Sequence, residues 1–315
     1  MIDRAKKSSI RSAYGNALVE VGTENENIVV LDADVAASTQ SKIFQKAFPE
    51  RFFDMGIAEQ DMIATSAGLA SQGKIPFASC FAVFASGRAY DQVRNSVCYP
   101  KFNVKVVGTH GGITVGEDGA SHQALEDVAL MRAIPNMTVI VPADSQECRE
   151  AVKYAATHDG PFYIRVARSN VPDIFDENYK LDNKGNVMCS GDDVTIVTNG
   201  ETLAEALDAS EILKSSGIGA TVINMPFVKP LNSDIILEHA AGKKLVVTVE
   251  NHSIIGGLGS AVCEVLSENA PTKVLRIGIN DTFGQSGNAN LLLEHYGLSA
   301  EKIVEKIKEK LKDNK

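Results

Sequence analysis

The sequence predicts an α/β protein built from two parallel-sheet domains. Short apolar runs rich in Val and Ile alternate with segments of helical period along the whole chain. That is the pattern of strands buried between helices on both faces of a parallel sheet. The alternation breaks once, at residues 171–192, VPDIFDENYKLDNKGNVMCSGD. This run is polar, carries Pro, Asn and Gly, has no period, and reads as an inter-domain linker. A chain of 315 residues also has the length for two domains. The expected division is therefore 1–170, a linker at 171–192, and 193–315.

In chain order, Ile10, Ala13, Tyr14, Ala17, Leu18 and Val21 recur at helical spacing. Strands are expected at Ile28–Asp32, Ile75–Phe81, Val104–Thr109, Thr138–Val141 and Tyr163–Ala167, each a nearly unbroken apolar run. A helix carrying Cys148, Ala151, Val152 and Ala155 starts behind the capping signal Asp144-x-x-Glu147. The second series places strands at Val194–Val197, Ala220–Asn224, Leu245–Val249 and Val274–Ile277. Its first helix is expected to open on the capping box Thr202-x-x-Glu205 and to bury Leu203, Ala206, Leu207 and Leu213. The C-terminal AEKIVEKIKEKLKDNK reads as an amphipathic helix, with Ile303, Ile307 and Leu311 on one stripe and a solvated charged face.

Composition narrows the function. Lys and Arg number 31 against 40 Asp and Glu, a net charge of −9, which disfavours a nucleic-acid or anionic-membrane partner. No apolar run reaches the roughly 18 residues of a bilayer-spanning helix, and MIDRAKKSSIRS lacks the apolar core of a secretory signal. Cys80, Cys98, Cys148, Cys189 and Cys263 show no metal-ligand or CxxC spacing, so reduced thiols in a cytoplasmic protein are expected. Phosphate-loop, dinucleotide-fingerprint and nucleophile-elbow motifs are missing. The run GGLG at 256–259 is better explained by close helix–sheet packing.

Three segments carry chemistry. The first, THGGITVGEDGASHQ at 109–123, follows a strand and holds four glycines, two histidines and two acids. Loops at strand carboxyl ends are where open α/β sheets bind ligands, and glycine permits close backbone approach. The segment suits hydrogen bonding to a polar small molecule. The alternatives are a glycine-rich loop pinned by its own side chains, and a metal held by His110, Asp118 and His122, whose spacing fits no standard pattern. The second, DMGIAEQDM at 54–62, sets Glu59 among Ile57, Ala58 and Met62. There a carboxyl either keeps a proton through desolvation or complements a helix dipole. In the third, FAVFASGRAYDQVR at 81–94, Phe81 and Phe84 are spaced to share one helical face.

Together, MGIAEQ, FAVF, THGGITVGEDGASHQ, PNMTVIVPAD and IRVARSN, followed by MPFVKPL and VTVENHSIIGGLG, resemble the transketolase family over the whole chain. The likeness is to the second half of that polypeptide, the pyrimidine-binding domain followed by the C-terminal domain. The family's GDG run, with NN about thirty residues later, binds Mg²⁺ or Ca²⁺ and the cofactor diphosphate, and it does not occur here. The resemblance therefore implies the C-terminal subunit of a split transketolase (EC 2.2.1.1). It also implies a separate N-terminal subunit that brings the GDG…NN motif and the metal, and homodimerisation of this chain within a heterotetramer. No metal ligand is expected on this chain itself.

By motif, Glu59 is implied to hydrogen-bond the aminopyrimidine of thiamine diphosphate and assist deprotonation of its thiazolium carbon. Phe84 would stack on the pyrimidine beside Phe81, with Asp34 near the thiazolium. His110, the second residue expected to act in catalysis, and His122 would face the sugars, and Asp118 would bond a sugar hydroxyl. Arg11, Ser38 and Arg168 would hold the sugar phosphate, a role that suits the guanidinium fork. Gly87 and Gly111 stand where many transketolases have an aromatic residue and an Asp. The implied reaction is two-carbon ketol transfer between sugar phosphates in the pentose phosphate pathway. GRAYDQVR also looks like deoxyxylulose-5-phosphate synthase, so a synthase-like or 2-oxoacid dehydrogenase β-like subunit is the rival. A non-catalytic assembly or regulatory subunit is the reading from another class.

Overall fold

A computed structural model describes residues 2–312 and contains two main sheets. The first has seven strands in the order Phe227–Lys229, Thr138–Ile140, Phe162–Val166, Lys105–Thr109, Ile75–Phe81, Ile28–Asp32 and Phe52–Asp54. All pair in parallel except the Phe227–Lys229 edge. The second runs Val274–Ile279, Leu245–Ser253, Val194–Thr198, Ala220–Asn224 and Asn186–Cys189, parallel apart from the last. The central strands are buried along their whole length, and this is why they read as unbroken apolar runs.

Each face of the first sheet has its own apolar layer. Helix Ile10–Glu24 lays Ile10, Tyr14, Ala17, Leu18 and Val21 on one face, beside helix Ser145–Thr157. Met62, Ile63 and Ala67 of helix Glu59–Ser71 cover the other. Each fully buried Leu, Ile or Val contributes about 1.5–3 kcal/mol, so these layers hold the frame on which the loops below are mounted. Asp144 caps its helix as expected, accepting from Glu147 N–H at 2.8 Å. Gly257 and Gly259 do serve packing: a Cβ on Gly257 would lie 2.1 Å from the Glu250 carboxylate, which accepts from the Leu258 and Gly259 N–H groups.

Three expectations are corrected. The segment 171–192 joins the two sheets but is structured. Asn170–Pro172 pairs with Lys7–Ser9, Asn186–Cys189 forms an edge of the second sheet, and Asp144 Oδ2 accepts from the Ile174 and Phe175 N–H groups. The two sheets are mostly parallel, as expected, and Phe227–Lys229, from beyond the linker, completes the first one antiparallel to Thr138–Ile140. The Thr202 capping box does not form. Thr202 is already inside its helix and donates to the Asn199 carbonyl, while Glu205 turns to Arg4 and the Ala300 N–H. Phe81 and Phe84 do not share one helix: Phe81 ends a strand, and Phe84 opens a π-helical turn, Phe84–Arg88.

Candidate active site

The pairings Asp32 with Asp54, Asp32 with Ser79, Phe81 with Thr109 and Thr109 with Val166 align the carboxyl ends of five parallel strands. From this edge leave the segments bearing Asp34 and Ser38, Glu59, Phe84, the run from His110 to His122, and Arg168. Only Arg11, in the first turn of helix Ile10–Glu24, comes from elsewhere, and its Nη1 donates to the Ser38 carbonyl at 2.7 Å.

Buried Asp32 shapes the first loop. Its carboxylate accepts from Val35 N–H at 2.7 Å and from the Thr39 and Ser41 hydroxyls at 2.8 Å, while burial pushes its pKa up to about 6. The turn that follows puts Asp34 in the left-handed region, exposed, with its N–H directed to Asp54 Oδ1. At the mouth, burial and the nearby Arg168 charge pull the Arg11 pKa below its ordinary value, and Arg11 Nε is buried without a partner. Arg168 Nη1 donates to the Val115 carbonyl at 2.7 Å and to Glu117 at 3.2 Å. Two neighbouring guanidiniums, one with an unsatisfied buried N–H, are suited to a terminal anion.

Deeper in, four rings gather. Phe81 and Phe84 lie 6.1 Å apart at 20°, His110 packs 4.0 Å from Phe81, and His122 meets Phe84 edge-on at 5.5 Å. His110 is buried at positive φ, and its pKa is lowered to about 3, by burial first and then by Arg11, Arg168 and His122. The ring is therefore neutral at physiological pH. The Thr109 hydroxyl donates to the Cys80 carbonyl at 3.3 Å, so we assign the 2.9 Å contact to a His110 Nδ1–H donor, which leaves Nε2 as an acceptor. His122 Nδ1 lies 3.0 Å from the Ser121 hydroxyl. Asp118 sits at the exposed end of the turn Ile113–Asp118. Among the described residues no group of three or more His, Cys, Asp and Glu is placed to hold a metal.

Glu59 leads its helix and is 2% exposed. In the sequence it stands among Ile57, Ala58 and Met62; the structure adds an ion pair, with Arg88 Nη1 2.8 Å from each of its oxygens. The guanidinium carbon of Arg88 also lies 4.4 Å from the centre of the Phe84 ring. Arg88 was missed in the sequence, although it lies within GRAYDQVR.

Sequence reasoning also missed the residues that hold the glycine-rich loop. Gly112, at φ +83°, lies against Asn251, and an added Cβ would sit 2.3 Å from Asn251 Nδ2. Asn251 Oδ1 accepts from Ile113 N–H at 3.0 Å, and Glu201 accepts from Thr114 at 2.7 Å and from Asn251 Nδ2. From below, Arg165 donates to Asp127 at 2.8 Å and to the Ala124 and Asn251 carbonyls at 3.0 and 2.9 Å. The second sheet thus carries part of the mount for His110 and His122. A charged residue inside the buried strand FYIRV was the one sequence signal for this.

A flat nitrogen heterocycle fits this chemistry, because one flat guanidinium already reaches both the buried carboxylate and a partly exposed phenyl face. Similarity points the same way. Residues 6–173 match the transketolase pyrimidine-binding domain, and 183–303 match the transketolase C-terminal domain. The chain is 52% identical to a Methanocaldococcus jannaschii protein assigned as a transketolase C-terminal section, over 96% of each chain. It is 45% identical to the 6-deoxy-6-sulfo-D-fructose transketolase subunit SqwH of a Clostridium species, over 94% of this chain and 92% of that one. A solved structure of a split gene transketolase, described as an inactive β4 tetramer, superposes with a TM-score of 0.90 at 52% identity, covering 96% of this chain and 98% of the other. With both domains matched in order over one continuous site edge, the chain belongs to the transketolase family.

Proposed function

We propose that this chain is the C-terminal subunit of a split transketolase, transferring a two-carbon ketol unit from a ketose phosphate to an aldose phosphate. The observation that carries the reading is that buried Glu59 and the Phe84 ring, with Phe81 stacked beside it, meet around the one Arg88 guanidinium, with Arg11 and Arg168 on the same sheet edge. Thiamine diphosphate, implied by the pyrimidine-binding domain, supplies the electron sink that accepts the two-carbon unit. Glu59 exchanges a proton with the pyrimidine ring nitrogen, and Phe84, with Phe81 beside it, gives the pyrimidine its stacking face. Neutral His110 offers Nε2 as acceptor to a sugar hydroxyl, with His122 and Asp118 completing the hydroxyl contacts. Arg11, with Arg168 and the Ser38 loop, would hold the terminal anion, and exposed Asp34 on the same edge would face the bound cofactor. The named relatives favour this arrangement: one acts on a sulfosugar, and another, 38% identical, is part of an apulose-4-phosphate transketolase from Phocaeicola vulgatus.

The diphosphate and its Mg²⁺ or Ca²⁺ fall to an N-terminal subunit with the GDG…NN motif, which this chain lacks. The split gene relative supports such a partner, and its β4 form supports self-association of this chain. A synthase-like acceptor is the second reading. It is favoured by GRAYDQVR and by 38% identity to a 1-deoxy-D-xylulose-5-phosphate synthase of Caldanaerobacter subterraneus, of which this chain spans half the length. One experiment separates the two. The chain is mixed with the candidate N-terminal subunit, thiamine diphosphate and Mg²⁺, and given xylulose 5-phosphate with ribose 5-phosphate, or pyruvate with glyceraldehyde 3-phosphate. Turnover of the first pair alone supports ketol transfer, turnover of the second alone supports the synthase, and turnover of neither contradicts both.

A further inference from the structure

Arg88 makes two contacts that, on the reading above, the cofactor's pyrimidine also needs. Its Nη1 is 2.8 Å from both Glu59 oxygens, and its guanidinium carbon lies 4.4 Å from the Phe84 ring centre. A guanidinium is flat, donates N–H bonds in its plane and stacks by its face on aromatics. An aminopyrimidine is likewise flat, and once its ring nitrogen is protonated it too donates in its plane to a carboxylate. The two cannot occupy the same face of Phe84 against the same carboxylate.

The local structure allows Arg88 to leave. Its side chain is 47% exposed while that of Glu59 is 3% exposed, so the guanidinium approaches the carboxylate from the solvent side. It ends the π-helical turn Phe84–Arg88, a conformation found mostly as a single-turn irregularity and frequently at functional sites. Beside it, Gly87 has open space on its Cβ side. While the ring is absent, the ion pair spares Glu59 the cost of a buried, unpaired charge.

We propose that Arg88 is a placeholder for the nitrogen heterocycle: it neutralises Glu59 and covers Phe84 in the free chain, and swings out when the ring enters. This rests on the cofactor assignment above, and the test keeps the two apart. Thiamine diphosphate with Mg²⁺ is titrated calorimetrically into the complex of this chain with its N-terminal subunit, as wild type and as Arg88→Met. Met keeps the stem and removes the competing donors, so binding tightens by about tenfold, the value of one charge-assisted contact. Side-chain ¹⁵N spectra of the wild-type complex give a second readout that does not depend on activity. A guanidinium signal held by the ion pair, identified by its loss in Glu59→Gln, moves to a freely rotating position when the cofactor is added. Arg88→Ala, which removes both the donors and the flat face, replaces Arg88→Met if that variant does not fold, and it too binds more tightly than wild type. Equal or weaker binding by the variant, or a guanidinium signal unmoved by bound cofactor, overturns the placeholder while leaving the cofactor assignment standing. Failure of wild type and variant alike to bind the cofactor overturns both.

Discussion

Replacing Arg165 by Met tests whether the glycine-rich loop is mounted as described. The Arg165 side chain is 7% exposed and that of its partner Asp127 is fully buried. Its Nε donates to Asp127 Oδ2 at 2.8 Å, and its Nη2 donates to the Ala124 and Asn251 carbonyls at 3.0 and 2.9 Å. Met preserves the stem that packs on Gly111, so the loss is chiefly of the charge and its hydrogen bonds. Removing one member of a buried ion pair costs about 3–5 kcal/mol, because the other is left charged and unpaired. Tyr163 still donates to Asp127 at 2.7 Å, which places the expected loss near the lower end, about 3 kcal/mol. Urea unfolding measures it, with an unchanged m-value if the folded state keeps its compactness. The double variant Arg165→Met/Asp127→Asn should recover part of the loss by removing the stranded charge. Amide exchange at Gly112 and Ile113 should accelerate in the single variant, because Asn251 loses its support. A loss below about 1 kcal/mol with unchanged exchange in that loop would refute the reasoning.

Three further outcomes follow from the same geometry. Gly112→Ala should cost about 2 kcal/mol or more in urea unfolding, since it combines positive φ with a Cβ driven into Asn251; Gly87→Ala, with nothing within 4 Å, should stay within about 0.5 kcal/mol. His110→Gln should flatten the acid side of the stability profile measured at pH 7, 5.5 and 4. The folded histidine is held at about 3 against an ordinary 6.5, so between those values the unfolded chain binds a proton that the folded chain refuses. Wild-type stability therefore falls as pH drops through that window, and the variant lacks this component. Asp32, raised to about 6, acts with the opposite sign but is present in both proteins and cancels in the difference.

How much of this was legible in the sequence depended on burial. Ile28–Asp32, Ile75–Phe81 and Ala220–Asn224 appear at their expected bounds because covered central strands must be apolar throughout. Lys7–Ser9, Phe52–Asp54, Asn170–Pro172, Asn186–Cys189 and Phe227–Lys229 were missed. These are three- or four-residue edge or ribbon strands whose pairing is decided by tertiary contact, too short to show a period. Phe81, Phe84, His110 and His122 gather because the loops that carry them leave adjacent parallel strands, a placement the strand–loop order foreshadows. Arg88 reaches Glu59 across 29 positions, and Asn251 reaches Ile113 across 138. Neither distance leaves a local pattern. The Thr202 box failed for a related reason, since Glu205 found Arg4 and the Ala300 N–H, partners distant in the chain.

The central claim is that Glu59 moves a proton for the cofactor, and the direct measurement is hydrogen–deuterium exchange at the thiazolium carbon in the reconstituted complex. Exchange is followed by NMR after acid quench, for wild type and Glu59→Gln. Gln keeps the side chain's shape in its buried position but cannot exchange a proton with the pyrimidine nitrogen. General acid–base assistance is worth about 10²–10⁴-fold, so exchange should slow by that factor while urea unfolding confirms a folded variant. A folded, cofactor-bound Glu59→Gln complex that exchanges as fast as wild type would contradict the account.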